Sequence, residues 1–529
     1  VISRKRSVAT AFAALTVAAL TLTACAGNGG TPQGSESANG GATSEGEPVA
    51  GGIAQIIEPA TPTSLDPARM QNLWYNASTI GNALYGALLR DDPVTGDLTY
   101  ELLEDMTTDD GGKTFTVKVR EGVTFSDGTP FTAEAVKYGW DRLRAPETGS
   151  ADIGTSALVE STEVVDDLTL TVTLVTPIPN FPSAVIPTTM NWIAKPEALE
   201  AGQAAFDANP IGAGPFVLKN WARQDVVSLE RNENYWNDPY PYLDGIEVRG
   251  MWDTSQRFNA LIGGQADLVM ESGAENLAKA EDSGFFNETL PLNAGSGFGL
   301  NTTKAPFDDV RARQALSYAL DLEAFNLASL GGYGVIPETL FVDASPFHSD
   351  IPLHTYDPEK AQELFDELAA EGKPVDFKVT FFAGSSTQYE ALQAQLNEYD
   401  NVTIGADQRD PSEAGLVTLA GDFQITTTSI LVGAEPDPRL GLFLHSDGRQ
   451  NYTRISDAEL DAALEAGRHA TDLDERIEAY ETVQERVVEL TPYVFTSRIS
   501  AGVMANDEIN GITRYGIGSM WPATLWLAP

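Results

Sequence analysis

An α/β fold is the class this sequence predicts, and two kinds of periodicity carry it. Two stretches alternate apolar and polar residues with the period of a half-buried strand. In "TFTVKVR" (114–120) Phe115, Val117 and Val119 share one face, and in "LTLTVTLV" (168–175) Leu168, Leu170, Val172 and Leu174 do the same. Both read as strands of an antiparallel or mixed sheet. Later stretches switch to the helical period, so strands come early and helices concentrate late. No repeat of fixed period appears, which excludes solenoids and propellers.

The chain opens on Arg4, Lys5 and Arg6, followed by the uncharged, mostly apolar run "SVATAFAALTVAALTLTA". A basic cluster ahead of an apolar run is the pattern of a secretory signal. As a spanning helix the run is barely long enough and is weakened by threonines. "LTAC" then resembles a bacterial lipobox and ends in Cys25, the single cysteine of 529 residues. That resemblance implies residues 1–24 as signal peptide and Cys25 as the site of lipid attachment. Two acyl chains give a stable anchor where one gives marginal binding. With one cysteine no disulfide forms within the chain, and a body of this size needs none. Residues 25–52 are rich in Gly, Ser, Thr, Asn and Glu and read as a flexible tether.

Further along, "FTAEAVKYGWDRL" reads as a helix capped by Thr132, with Phe131 and Val136 at the positions of a hydrophobic staple. "DPEKAQELFDELAAEG" puts Ala361, Leu364, Phe365 and Leu368 on one face and stops at Gly372. "SDAELDAAL" opens with a capping box of Ser456 and Glu459, and the next helix carries Leu473, Ile477, Tyr480 and Val487 inward. "FSDGTPFTAEAV" contains an Asp127–Gly128 turn, and "GAGPF" sets two glycines where backbone turns closely before a strand.

Acidic residues number 76 against 33 basic ones, a net charge of −43. Such a surface repels nucleic acid and anionic headgroups, so attachment to a membrane falls to the lipid alone. The excess is spread along the chain, as for solubility in a salty habitat; preference for a cationic ligand is the other reading.

Six segments in order have a familiar spacing: "LYGALLRDDPVTGDLTYELLEDM", "DDGGKTFTVKVREGVTFSDGTPFTAEAVKYGWDRL", "NPIGAGPFVLKNW", "NENYWNDPYPYLDGIEV", "LIGGQADLV" and "LNTTKAPFDDVRARQALSYALD". Together they resemble the family 5 extracellular solute-binding proteins of ABC importers, the oligopeptide, dipeptide and nickel-binding group, from about residue 53 to the C-terminus. The resemblance implies a two-lobe periplasmic-binding-protein-like fold closing on a buried ligand, with an additional subdomain in lobe I. Carried onto this chain, lobe I takes 53–297 including a subdomain at about 92–207, lobe II takes 298–505, and 506–529 return to lobe I. The hinge crossings are expected at "GSGFGLN" (295–301) and around "SRISAGVMA", with Gly295, Gly297 and Gly299 allowing a bend or a close approach to ligand. The partners it implies are a small-molecule or peptide ligand and the permease subunits; a monomer is expected.

Nothing local marks catalysis. His348, His354, His445 and His469 lack paired-ligand spacing, His348 and His354 reading as solvent-exposed loop residues, so neither metal nor cofactor is expected. No GxSxG elbow appears. A carboxylate-based hydrolase is the enzyme alternative, and no acidic pair stands out for it.

The ligand segment is "ILVGAEPDPRLGLFL". In peptide-binding relatives it commonly reads D-x-x-D/E-P, the first Asp pairing with the peptide ammonium group. Aligned on Asp437 and Pro438, this chain has Ala434 at that place, and Glu435 is the adjacent substitute. Asp437 reads either as a turn-capping residue or as a ligand contact, and Arg439 as a fork for a ligand carboxylate or a surface residue. Trp74, Tyr75, Asn191, Trp192, Phe298 (in the hinge) and Trp521 are the remaining candidates to line the cleft. A peptide leads as ligand class, ahead of a glycoside, an opine-like compound or a metal chelate.

Overall fold

The computed structural model describes residues 47–382 and 386–529. The expected signal segment, Cys25 and most of the expected tether lie outside the described residues.

The first strand, Ile53–Glu58, is mostly apolar and is buried at Ala54 and from Ile56 onward, as suits the middle of a sheet. It runs parallel to Gly245–Gly250 on one side and Leu268–Glu271 on the other. Val226–Arg231 and Phe216–Ala222 extend the sheet antiparallel beyond the first of these. Beyond the second lie Ser500–Ala505 and then Phe286–Pro291, making seven strands. This sheet is the frame of lobe I. Lobe II is built on a five-stranded sheet in the order Val402–Arg409, Val375–Phe382, Ile425–Val432, Asn293–Leu300, Tyr493–Ser497.

The additional subdomain is a four-stranded antiparallel sheet that contains both alternating segments. Phe115, Val117, Leu170 and Val172 point into a core closed by the helix Ala133–Arg144. Thr132 caps that helix by accepting from Ala135 N, and Phe131 and Val136 are both buried in the same core. The paired glycines of "GAGPF" earn their place by proximity: a Cβ at Gly212 or Gly214 would stand 2.2 or 2.3 Å from the carbonyls of Leu84 or Ala83.

The chain passes between the sheets at Leu292 and at Arg498–Ile499, side by side, with Leu292 N donating to Ile499 O at 2.9 Å. The first passage therefore precedes "GSGFGLN", where the hinge was expected. That stretch is an interior strand of lobe II, hydrogen-bonded on both sides, and cannot act as a bend. Its glycines serve close strand packing instead. A Cβ at Gly295 would lie 2.6 Å from Ser497 O, and one at Gly297 would lie 2.0 Å from Val494 O.

Two helix expectations also shift. Asp457, rather than Ser456, caps Ala458–His469, because its carboxylate accepts from Leu460 N at 2.9 Å and is held by Arg486 at 2.8 Å. Leu473, expected inward, is 49% exposed at the start of Leu473–Leu490. The inward stripe starts at Arg476 and continues through Tyr480, Val483 and Val487, so a charged residue opens the buried face.

Candidate ligand-binding site

The segment after the first strand reaches the cleft and turns back into the helix Ser78–Tyr85. Its two ends are tied by Thr79 N donating to Glu58 Oε1 at 3.0 Å. Burial pushes the Glu58 carboxyl up to about 7. This excursion delivers Trp74 and Tyr75, packed edge to face at 5.0 Å, to the space between the lobes.

That space holds two adjoining cavities that share Leu431 as a wall. The larger, about 470 Å³, is lined from lobe I by Trp74, Tyr75 and Trp252, and from lobe II by Ser296, Ser429 and Gln388. Its two cations are already engaged. Arg257 is paired with Glu271 through two contacts, of 2.6 and 3.2 Å, and Arg498 donates to the carbonyls of Ala294, Leu340 and Thr339. No acidic side chain among the described residues lines it. It is an aromatic and hydroxyl-rich chamber whose lining carries no acid.

The smaller cavity, about 40 Å³, lies between the subdomain and the turn 433–439. The lobes touch around it. A Cβ at Gly96 would stand 3.5 Å from that of Ala434, and His469 Nδ1 lies 2.6 Å from Pro177 O. The charges here are mostly spoken for. Glu435 is ion-paired with Arg476, and Asp437 Oδ1 with Arg468 Nε at 2.8 Å. Asp91 accepts from Gly516 N at 2.6 Å. Asp437 Oδ2 is buried without a donor. Burial raises all three carboxyls, Glu435 to about 7 and Asp91 to about 6, while the Asp437 carboxyl rises against the pull of Arg468. Glu435 is thus bound within lobe II and is not a free partner for a ligand ammonium group.

Arg439 opens the short helix Arg439–Leu444 and lines the same cavity. Its Nε donates to Leu431 O at 3.0 Å, and its guanidinium carbon lies 5.7 Å from the Phe443 ring centre. Burial pulls the group below its ordinary range, against the opposing charges of Tyr75, Asp152 and Tyr452.

The other candidates are packed in cores. Asn191 is fully buried and bridges backbone, accepting from Leu89 N and donating to Leu89 O and Ile186 O. Trp192 is buried over Gly81, its Nε1 donating to Asn82 Oδ1 at 2.8 Å. Phe298, expected at the hinge, meets Phe325 inside lobe II. Trp521 is buried beneath the Arg90 guanidinium. None of the four reaches the cleft, because each side chain fills space or satisfies backbone between its own elements. His354, expected in solvent, is half-buried, its Nε2 lying 2.8 Å from Leu320 O. Among the described residues no group of three His, Cys, Asp or Glu side chains is placed to hold a metal ion.

Trp252, 77% exposed at the cleft edge, went unnoticed in the sequence; the signal was a bulky aromatic just before the cap Asp253 of the helix Thr254–Ile262. Arg468 and Arg476 carry no local signal, since they lie 31 and 41 residues from the carboxylates they hold.

Two lobes, two adjacent crossings and a chamber walled by both lobes define a solute-binding protein. The model of bacterial extracellular solute-binding proteins, family 5 (middle region), matches residues 97–451, and the chain belongs to that family. It is a binding protein and not an enzyme. Glutathione-binding protein GsiB of Pectobacterium atrosepticum is 28% identical over 86% of this chain and 90% of that protein. GsiB of Shigella flexneri is 31% identical over 58% of this chain, which spans 60% of that protein's length. Among solved structures, the ABC transporter substrate-binding protein CtaP of Listeria monocytogenes is 26% identical, with a TM-score of 0.75 over 91% of this chain and all of that one. DppA of Helicobacter pylori, in complex with a peptide, is 21% identical with a TM-score of 0.78 over 91% and 99% of the two chains. No helix among the described residues is long and apolar enough to cross a membrane.

Removing Arg476 leaves Glu435 buried without its counter-ion, and this has a pH signature. The folded-state pKa of Glu435 lies above its ordinary value, so stability linked to its protonated form is lost as pH rises through about 7. Arg476→Met is expected to destabilise the fold by about 3 kcal/mol at pH 8 and by clearly less at pH 5, where Glu435 carries its proton. Urea unfolding at both pH values checks this. An equal loss at the two pH values would assign the effect to packing against Phe347.

Proposed function

We propose that this protein is the substrate-binding component of an ABC importer. It is held on the outer face of the cell membrane by lipid on Cys25, captures one small solute between its lobes and delivers it to the permease as a monomer. The observation that carries this is a chamber whose walls come from both lobes, in a molecule whose lobes are joined by two adjacent crossings. A solute seated there contacts both lobes and favours their closed arrangement by its differential affinity. Membership of an extracellular family and the secretory pattern before Cys25 support the location.

A peptide-like solute is the leading class. Support comes from the two relatives at 28% and 31% identity, both named glutathione-binding proteins, and from a chamber lined by aromatic and hydroxyl side chains, which suits a backbone of alternating donors and acceptors. Native mass spectrometry of protein purified from its own host is expected to show one intact peptide-like solute per chain. A co-purified sugar or metal chelate would replace the peptide assignment, and conversion of the solute to product on incubation would contradict a pure binding role.

The anchor has its own test. Cys25→Ser is expected to abolish labelling by a lipid precursor and to release the protein from the membrane fraction. Unchanged retention of the variant would contradict it.

A further inference from the structure

Arg439 is a half-buried cation with no carboxylate partner among the described residues. Of the five N–H donors of a guanidinium, the described structure engages Nε alone, with Leu431 O. No carboxylate oxygen among the described residues lies within 4.0 Å of it, whereas its neighbours Arg468 and Arg476 are each ion-paired. The acids nearby are committed elsewhere: Glu435 and Asp437 to those two arginines, Asp91 to Gly516 N, and Asp152 to both the backbone and the hydroxyl of Thr189. Enclosing a charge without a partner is costly, and the face of Phe443 offsets only part of that. The fork stands beside the larger chamber at Leu431, a wall that this chamber shares with the cavity Arg439 lines, and Tyr75 of lobe I faces the same chamber.

We infer that Arg439 is the seat for a carboxylate of the solute, received through its free Nη donors at the junction of the two cavities, with the uncharged remainder of the solute lying in the aromatic chamber. The ligand class is therefore a small carboxylic acid with a neutral polar or aromatic body. Seating the anion completes the ion pair that lobe II lacks, and it does so where lobe I meets lobe II. Recognition of the acid is thereby coupled to closure. This inference rests on the binding role proposed above but not on the solute being a peptide.

The test uses full-length protein, stripped of bound solute, and three matched pairs in titration calorimetry: trialanine and its C-terminal amide, glucuronate and glucose, phenylacetate and phenylacetamide. With the tripeptide pair N-acetylated so that its body carries no ammonium, the acid of every pair that binds is expected to bind about 30-fold or more tightly than its neutral partner. Arg439→Gln is expected to erase that difference, chiefly by weakening the acid. The comparison of acid with neutral partner on the unsubstituted protein stands even if the variant folds poorly. Tight binding of glucuronate or phenylacetate without trialanine would uphold the seat and remove the peptide assignment. Equal binding within pairs, a preference that survives Arg439→Gln, or no binding by any of the three acids would overturn the inference.

Discussion

Leu292 N donates to Ile499 O where the chain passes from one sheet to the other in both directions, and the rest of the molecule is arranged around that bond. On the lobe I side, Phe286–Pro291 pairs with Ser500–Ala505; on the lobe II side, Asn293–Leu300 pairs with Tyr493–Ser497. Each sheet is hydrogen-bonded through these strands, so neither can flex internally at low cost. Relative motion is concentrated in the few residues between the ladders. Arg498 braces that level by donating to three carbonyls of lobe II, which also explains why so large a cation can sit there without a carboxylate.

The constraint accounts for the division of labour in the cleft. Lobe I contributes aromatic surface on an excursion pinned by the Glu58–Thr79 bond, and lobe II contributes a turn whose acids are neutralised from behind by Arg468 and Arg476. Those two ion pairs hold the 433–439 segment in shape without leaving charge for a ligand. Arg439 differs in having no such partner, and that asymmetry gives the site its chemical polarity.

How much of this was legible in the sequence depended on whether one residue's neighbours were local. The alternating strands of the subdomain and the helix Pro358–Ala370 announce themselves because period and burial coincide over a few turns. The cap at Asp457 was missed by one position, since Ser456 and Asp457 are both good caps and only the distant Arg486 decides between them. The glycines at 295–299 look like a hinge because glycine permits bending and close packing alike, and the sequence does not say which is needed. Among site candidates, Trp74, Tyr75 and Arg439 lie at the cleft, while Trp192, Phe298 and Trp521 lie in cores. A large aromatic serves either place equally well, and only the surrounding elements distinguish them. Asn191 was opaque for a related reason: a polar residue can be demanded by orphaned backbone, here that of Leu89, as readily as by a ligand.

A two-lobe binding protein requires that a solute seated between the lobes closes them. Small-angle scattering of the protein stripped of solute, then saturated with the solute that co-purifies from its host, measures this directly. A smaller radius of gyration in the saturated state is expected, because bridging both lobes shifts the population toward the closed form. An unchanged radius at saturation would contradict the account and place recognition on a single, rigid lobe.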